Sequence, residues 1–278
     1  KKRILGAGGC IACFVIMFST AYSNTELYNS YAVDGNIYFK VNQYISKGFL
    51  YSFIYDINNL KVEKPSSYNP EAFNAIDDTA ESTELNDISK PNIVMIMSEA
   101  FSDISNSESI NFDEYGDPLE FYNQFINRDD VISGHIVVPN FGGGTSDTEF
   151  DVLTGCSTKY IDSSQVSYNF IRKPMEAMPR LLKNIGYDTL AIHPGYGWFY
   201  NRTNVYKNMG FDDFIYLEED FDPSTQNKGG YISDEVTTQS IIDNFENHVK
   251  NNDDPLFEFC VTIQNHGPYE EEYENLKT

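Results

Sequence analysis

The chain reads as an α/β protein, a sandwich with a mostly parallel central sheet flanked by helices and preceded by a transmembrane helix. Three observations predict this. Short continuous apolar runs recur in its later two thirds ("NIVMIM", "HIVVP", "DTLAIH", "LFEFCVTI"), as strands buried on both faces do. Segments with apolar residues at helical spacing lie between them, an alternation that builds parallel sheets. At the front, Lys1-Lys2-Arg3 precede an uncharged run from Ile4 to Tyr22, close to the roughly 20 residues that span a bilayer.

Taken in order, residues 1–24 are expected to form that membrane helix. The basic flank predicts a cytoplasmic amino end with the remainder exported. Ser19 and Ala21 also mimic the small-x-small site of a signal peptide. The first residue is Lys, not Met, so the start is expected to be internal to a longer protein, which favours the last helix of a membrane region. Residues 25–90 form a juxtamembrane segment and linker. "YFKVNQYISKGFLYSFIYDI" is amphipathic and helical in pattern; its apolar face suits the membrane surface or the exported domain, and packing on the domain is the expected use. From Lys61 to Lys90 the chain turns polar, with Pro65, Ser66, Ser67 and Pro70 ahead of "DDTAESTELND", a linker signature.

Residues 91–278 form the exported domain. "NIVMIM" predicts a strand that ends at Ser98-Glu99, and "HIVVP", His135 to Pro139, a second. Gly142 to Gly144 follow, then a helix. Ser146 with Glu149 three residues on reads as a capping box that starts this helix near Ser146. "PMEAMPRLLKNIG" places Met175, Met178, Leu181, Leu182 and Ile185 at helical spacing. "DTLAIH" is the next strand, closing on His193, and "TNVYKNMG" a short helix ending at Gly210. A longer helix starts near Ser233 with Val236, Ile241, Phe245 and Val249 on one face. The last strand, "LFEFCVTI", runs into Gln264-Asn265-His266.

Charge narrows the function. The 42 acids against 19 bases give a formal charge of −23. Such a surface repels phosphate backbones and offers no basic stripe, which excludes nucleic acid as a partner. It suits a cell-surface setting and attracts divalent cations, or serves solubility alone. Cys10 and Cys13 lie in the apolar front segment. Cys156 and Cys260 are far apart in sequence; buried free thiols are the expectation, with a disulfide between them as the alternative.

Open α/β sheets bind ligands beyond the carboxyl ends of their strands, so the strand exits carry the functional signal. Glu99 follows the first strand, Thr145 the second by way of the glycine loop, His193 the third and His266 the last. The chain has four histidines, and two of them stand at exits. In "NFGGGTSDTEF" the glycines let backbone approach a ligand closely, and the helix that follows presents free N–H groups and a positive dipole end to an anion. The same pattern also serves as a plain turn before a helix. No Gly-Lys-Ser/Thr follows, so the loop is not a P-loop. Thr145 is a candidate nucleophile. A hydroxyl is too weak alone and needs a metal or a base, and Glu99 is the candidate ligand for a cation shared with Thr145. In "IHPGYGWFYNR", Arg202 is suited to two phosphate oxygens, and His193 or His266 is a candidate proton donor to a leaving oxygen.

"PNIVMIMSEAFSD", "FGGGTSDTEFDVLTG", "IHPGYGWFYNRTNVYKNMGFDDF" and "VTIQNHGPY", in this order and spacing, resemble the lipoteichoic acid synthase family, sulfatase-superfamily phosphoglycerol transferases with an alkaline-phosphatase-like fold. The resemblance covers about Pro91 to Tyr269 and the membrane helix before it. It implies a membrane enzyme with an extracellular catalytic domain. Its donor would be phosphatidylglycerol, its acceptor a glycolipid or teichoic-acid-type polymer, and its intermediate a phospho-threonine at a Mn2+ (or Mg2+) site. By this resemblance Glu99 and Thr145 are metal ligands and Thr145 the nucleophile. Gly144, His193, Tyr200 and Arg202 line the glycerol phosphate pocket, and His266 is the active-site histidine. Gly195 stands where some members have Asp, and Tyr200 where some have Trp. The family's further ligands, an Asp-His pair, are expected beyond Thr278, so residues 91–278 read as the amino-terminal part of that domain.

Two other readings remain. A sulfatase needs Cys or Ser followed by x-Pro-x-Arg, and Thr145 is followed by Ser-Asp-Thr-Glu. A metal-dependent phosphodiesterase of the same fold, or a non-catalytic envelope-binding domain, would keep the same motifs.

Overall fold

The computed structural model describes residues 2–30, 40–58, 68–69, 71, 89–104, 116–140, 143–161, 166–267 and 273–276. The polar linker lies almost wholly outside these residues, as do Phe141 and Gly142 of the glycine loop. Two compact units result, Lys1–Asp87 with Ile161–Val166 and Ile88–Tyr160 with Ser167–Thr278.

The first unit is helical: α1 (Lys2–Met17), α2 (Thr25–Ser30), α3 (Lys40–Lys47) and α4 (Phe49–Asn58). The expected span over 1–24 is helical but is not one uniform α-helix. Ser19 Oγ and Thr20 Oγ1 both donate to the Ile16 carbonyl, and the ladder passes into a π-turn over Phe18–Tyr22. Side chains that compete for a helix carbonyl loosen the i→i−4 pattern in this way. The 16 residues of α1 reach about 24 Å, short of a hydrocarbon core of about 30 Å. Among the described residues no helix is long and apolar enough to cross a membrane. The amphipathic segment is two helices broken at Gly48, whose φ of +84° suits a residue without Cβ. Tyr28 and Tyr55 stack at 3.7 Å, and the Tyr28 hydroxyl bonds Ser52 in the interior.

The second unit holds β1 (Ile93–Met97), α5 (Glu120–Phe125), α6 (Thr145–Thr154), α7 (Met178–Asn184), β2 (Asp188–His193), α8 (Arg202–Met209), β3 (Asp213–Tyr216), the short hairpin β4 (Asn227–Lys228) and β5 (Tyr231–Ile232), α9 (Asp234–Asn251) and β6 (Leu256–Val261). Four strands make a sheet in the order β1-β6-β2-β3, every pair parallel. Apolar burial holds it. All of β6 is buried, with Ile192 and Cys260 packed on Ile241 of α9. On the other pleat face Tyr206 of α8 stands against Phe259 and Phe214, and Phe211 stacks on Phe257. The α/β class with a mostly parallel sheet between helices therefore holds.

Several elements differ from expectation. "HIVVP" is not a strand: Ile136 and Val137 are 84% and 98% exposed. β-branched composition favours a strand only where an edge is there to pair with, and these residues join no ladder of the sheet. The helix expected from Met175 begins at Met178, because Pro179 belongs in a first turn where its missing N–H costs nothing. Met175 instead donates its N–H to Asn208. The long helix starts as expected, with Ser233 Oγ capping Val236. Its buried face is Thr237, Ile241 and His248, while Val249 is half exposed. Cys156 is exposed, Cys260 is buried, and both are free.

Glu258 lies in the centre of β6, fully buried, and neither carboxylate oxygen has a partner among the described residues. Burial pushes its pKa up to about 7. The folded state thus holds this proton more tightly than the unfolded chain does. Its contribution is complete below about pH 4.5 and is lost as pH rises through about 7. Glu258→Gln is expected to raise stability at pH 8 by on the order of 2 kcal/mol and to leave it almost unchanged at pH 4. Urea denaturation at the two pH values measures this; an equal effect at both would contradict it.

Candidate active site

The carboxyl ends of β1, β2 and β6 place Glu99, His193 and His266 on one rim, and the amino end of α6 brings Thr145 to it. β1 and β6 are tied together at this point. Thr262 donates its N–H to the Met97 carbonyl, and its hydroxyl accepts the Glu99 N–H at 3.1 Å. Ala100 then takes φ +57°, an uncommon conformation for a residue with Cβ, which turns the chain sharply behind Glu99.

Gly144 caps α6 in the left-handed conformation, φ +81° and ψ +37°, where a Cβ would be strained. The helix opens at Thr145 rather than Ser146. The capping box does not form: Gly144 is the N-cap and makes no side-chain bond. Ser146 Oγ is buried with no partner among the described residues, and Glu149 is engaged elsewhere. Thr145 is thus the first residue of the helix, beside N–H groups that no turn of helix satisfies. Its Oγ1 donates to Glu99 Oε1 at 2.6 Å, and His266 Nε2 lies 3.9 Å from the same oxygen. Burial holds the Glu99 carboxyl above its ordinary range, against the Thr145 hydrogen bond and the Arg202 charge, which favour ionisation.

His193 is buried beneath the rim. Its Nδ1 faces the Val261 carbonyl at 2.9 Å, which fixes the proton on Nδ1 and leaves Nε2 as an acceptor. Burial and the nearby Arg202 charge push its pKa down to about 3, against the Val261 bond. His193 is therefore neutral at physiological pH and offers a lone pair, not a proton. Gly195 packs on this ring: a Cβ there would lie 2.5 Å from His193 Nε2. A side chain at that position would displace the imidazole.

Arg202 opens α8 next to two consecutive left-handed residues, Tyr200 (φ +56°) and Asn201 (φ +59°). Its guanidinium stands 5.1 Å from the Tyr200 ring centre, within cation–π range. It is almost wholly buried, with Nη2 donating to Glu149 Oε1 at 2.6 Å. Glu149 Oε2 also accepts from Tyr206 at 2.6 Å and Tyr168 at 2.8 Å. Burial opposes charge on Glu149, but Arg202 and the hydrogen bonds outweigh it and hold the carboxyl below its usual range. Arg202 Nη1 is buried and has no partner among the described residues.

The structure thus brings Glu99, Thr145 and His266 into one cluster, with His193 and Arg202 near enough to bias Glu99 or one another. Sequence reasoning missed Glu149, Tyr168, Tyr206 and Thr262. Glu149 had a signal, an acid on a short helix, which the capping-box pattern explained away. Among the described residues no three His, Cys, Asp or Glu side chains are grouped to hold a metal ion. A cavity of about 520 Å³ lined by Asp188, Asp212, Asp213 and His248 lies at the opposite, amino end of β2 and shares no residue with this cluster.

Residues 91–277 match the family described as Sulfatase. A putative cyclic β-1,2-glucan modification protein of Rhizobium meliloti is 32% identical over 83% of the chain and 34% of its own length. Among solved structures, the phosphoglycerol transferase GacH of Streptococcus pyogenes, in complex with sn-glycerol-1-phosphate, superposes with TM-score 0.58 at 24% identity, over 77% of this chain and 56% of that one. The lipoteichoic acid synthase LtaP of Listeria monocytogenes does so with TM-score 0.54 at 23% identity, over 64% and 41%. These structures share the fold. The chain spans about one third of the length of the curated relatives it matches.

The neutrality of His193 is directly measurable. Its ring resonances are expected to stay flat between about pH 5 and pH 8, in the Nδ1–H tautomer. A titration midpoint inside that interval in an NMR pH series would contradict the assignment.

Proposed function

The chain belongs to the sulfatase family, and on that footing we propose that it is the nucleophile-bearing part of a phosphoglycerol transferase of the cell envelope. The observation that carries the reading is the Thr145–Glu99 hydrogen bond of 2.6 Å at a helix amino end, on the same helix as the carboxylate that holds a buried guanidinium whose Nη1 has no partner among the described residues. A hydroxyl held on a buried carboxylate, next to donors for an anion, suits phosphoryl transfer.

A divalent cation, Mn2+ or Mg2+, fits this donor set. Carboxylate and hydroxyl oxygens are the hard ligands such ions take, and Glu99 is a largely buried carboxylate whose Oε1 already faces Thr145 and His266. Glu99 and Thr145 would hold it as two members of a larger set. When bound, such an ion lowers the pKa of a ligating hydroxyl and screens phosphate charge.

The chain's own residues divide the remaining work. Thr145 Oγ1 passes its proton to Glu99 Oε1, the acceptor of its hydrogen bond, and forms a bond to the phosphorus of phosphatidylglycerol as the bond to the diacylglycerol oxygen breaks. His266, exposed at the mouth of the site, gives that oxygen its proton. Neutral His193 accepts a hydrogen bond from the glycerol moiety, and Tyr200 with Gly144 borders it. An acceptor hydroxyl then takes glycerol phosphate from Thr145, giving its proton to His266 as the Oγ1–phosphorus bond breaks and Thr145 recovers its proton from Glu99. We assign the acceptor as an envelope glycan, glycolipid or teichoic-acid-type polymer, in keeping with the glucan relative. The basic flank and apolar run at the front support a site on the extracellular face of the cell membrane.

Incubating the full-length protein with head-group-labelled phosphatidylglycerol and Mn2+ tests this. Label is expected on Thr145 by peptide mass spectrometry, with loss of on the order of 1,000-fold or more in transfer for Thr145→Ala. Equal transfer by wild type and Thr145→Ala would sink the assignment. Release of free glycerol phosphate whatever acceptor is added would favour a phosphodiesterase.

A further inference from the structure

We infer that Glu149 is the positioning residue of the phosphate subsite, fixing Arg202 so that a single guanidinium edge, Nη1, is left for the substrate. The inference rests on the phosphoryl-transfer reading of the site and adds a residue that the reading does not require.

Glu149 is fully buried and gathers donors from separate parts of the fold. Arg202 Nη2 and Tyr206 come from α8 at 2.6 Å each, and Tyr168 from the one-turn helix Ser167–Phe170 at 2.8 Å. Arg202 Nε lies at 3.4 Å. A guanidinium is a planar fork with five N–H donors in fixed directions. Once Nη2 and Nε face Glu149, the plane is set and the direction of Nη1 follows. Nη1 is buried with no partner among the described residues, a costly condition for a charged donor unless an anion completes it.

The anchor also sits where it matters. Glu149 is four residues beyond Thr145 on α6, so both side chains project from the same side of one helical turn. Nucleophile and guanidinium anchor therefore share one rigid element, and the distance from Thr145 Oγ1 to the phosphate held by Arg202 is set by a helix rather than by a loop. Small misplacements of this kind cost large factors in rate. Tyr206 extends the support into the core, its ring packed on Phe259 and Phe214 and its hydroxyl on Glu149.

A binding cycle tests this without turnover. On a Thr145→Ala background of the full-length protein with Mn2+, the affinity for glycerophosphoglycerol, the deacylated head-group diester, is measured by calorimetry. Arg202→Lys and Glu149→Gln are each expected to weaken binding by about 10-fold or more, and the double variant no further than about threefold beyond either, since both act through one contact. Tyr206→Phe, which keeps the ring and both charges of the pair, is expected to weaken binding severalfold while lowering the melting temperature by less than Glu149→Gln does, since it removes one hydrogen bond and strands no charge. Loss in Arg202→Lys with none in Glu149→Gln or Tyr206→Phe would overturn the positioning role and leave the phosphate subsite standing. Multiplying losses in the double variant would overturn it equally. Binding untouched by Arg202→Lys would remove the subsite and the proposed function together.

Discussion

The buried ion pair between Glu149 and Arg202 is the constraint on which the site depends. Taking two charges out of water costs several kcal/mol each, and only close geometry with further hydrogen bonds offsets it. Here the pair is met at 2.6 Å, and two tyrosine hydroxyls complete the carboxylate. Losing either charge would strand the other at a cost of about 3–5 kcal/mol. The pair therefore locks α6, α8 and the turn carrying Tyr168 into one arrangement. The amino ends of α6 and α8, which carry Thr145 and Arg202, have little freedom left.

The same pair explains the electrostatics at the rim. Burial first, and then its positive member, push the pKa of His193 down to about 3, against the Val261 bond and Glu149, which keeps that ring neutral and its Nε2 unprotonated. It also partly offsets the burial of Glu99. A neutral acceptor, a buried carboxylate and a hydroxyl bonded to it make a site whose charges are set by neighbours rather than by solvent. Such a site is organised before substrate arrives, which is what electrostatic catalysis asks of it.

Much of this was legible in the chain. Continuous apolar runs located β1, β2 and β6, and the rule that ligands gather at strand exits brought Glu99, His193 and His266 together. Ser233 announced its helix because a cap is a local feature. What failed was what depends on partners distant in sequence. "HIVVP" has strand composition but joins no ladder. Ser146 and Glu149 have the spacing of a capping box, yet Arg202, 53 positions later, claims the carboxylate. Ser19 and Thr20 look harmless in an apolar run, but both bond one carbonyl and change the helix there. Tyr206 and Tyr168 gave no signal, since a tyrosine is read as core until its hydroxyl is seen to have an acid.

The most direct measurement is a crystal structure of the full-length Thr145→Ala protein with glycerol phosphate and Mn2+. The account predicts a phosphate oxygen within hydrogen-bond reach of Arg202 Nη1, with Nη2 still on Glu149 and the phosphorus facing the position vacated by the Thr145 hydroxyl. A ligand bound away from Nη1, or an Arg202 swung off Glu149 to meet it, would contradict it.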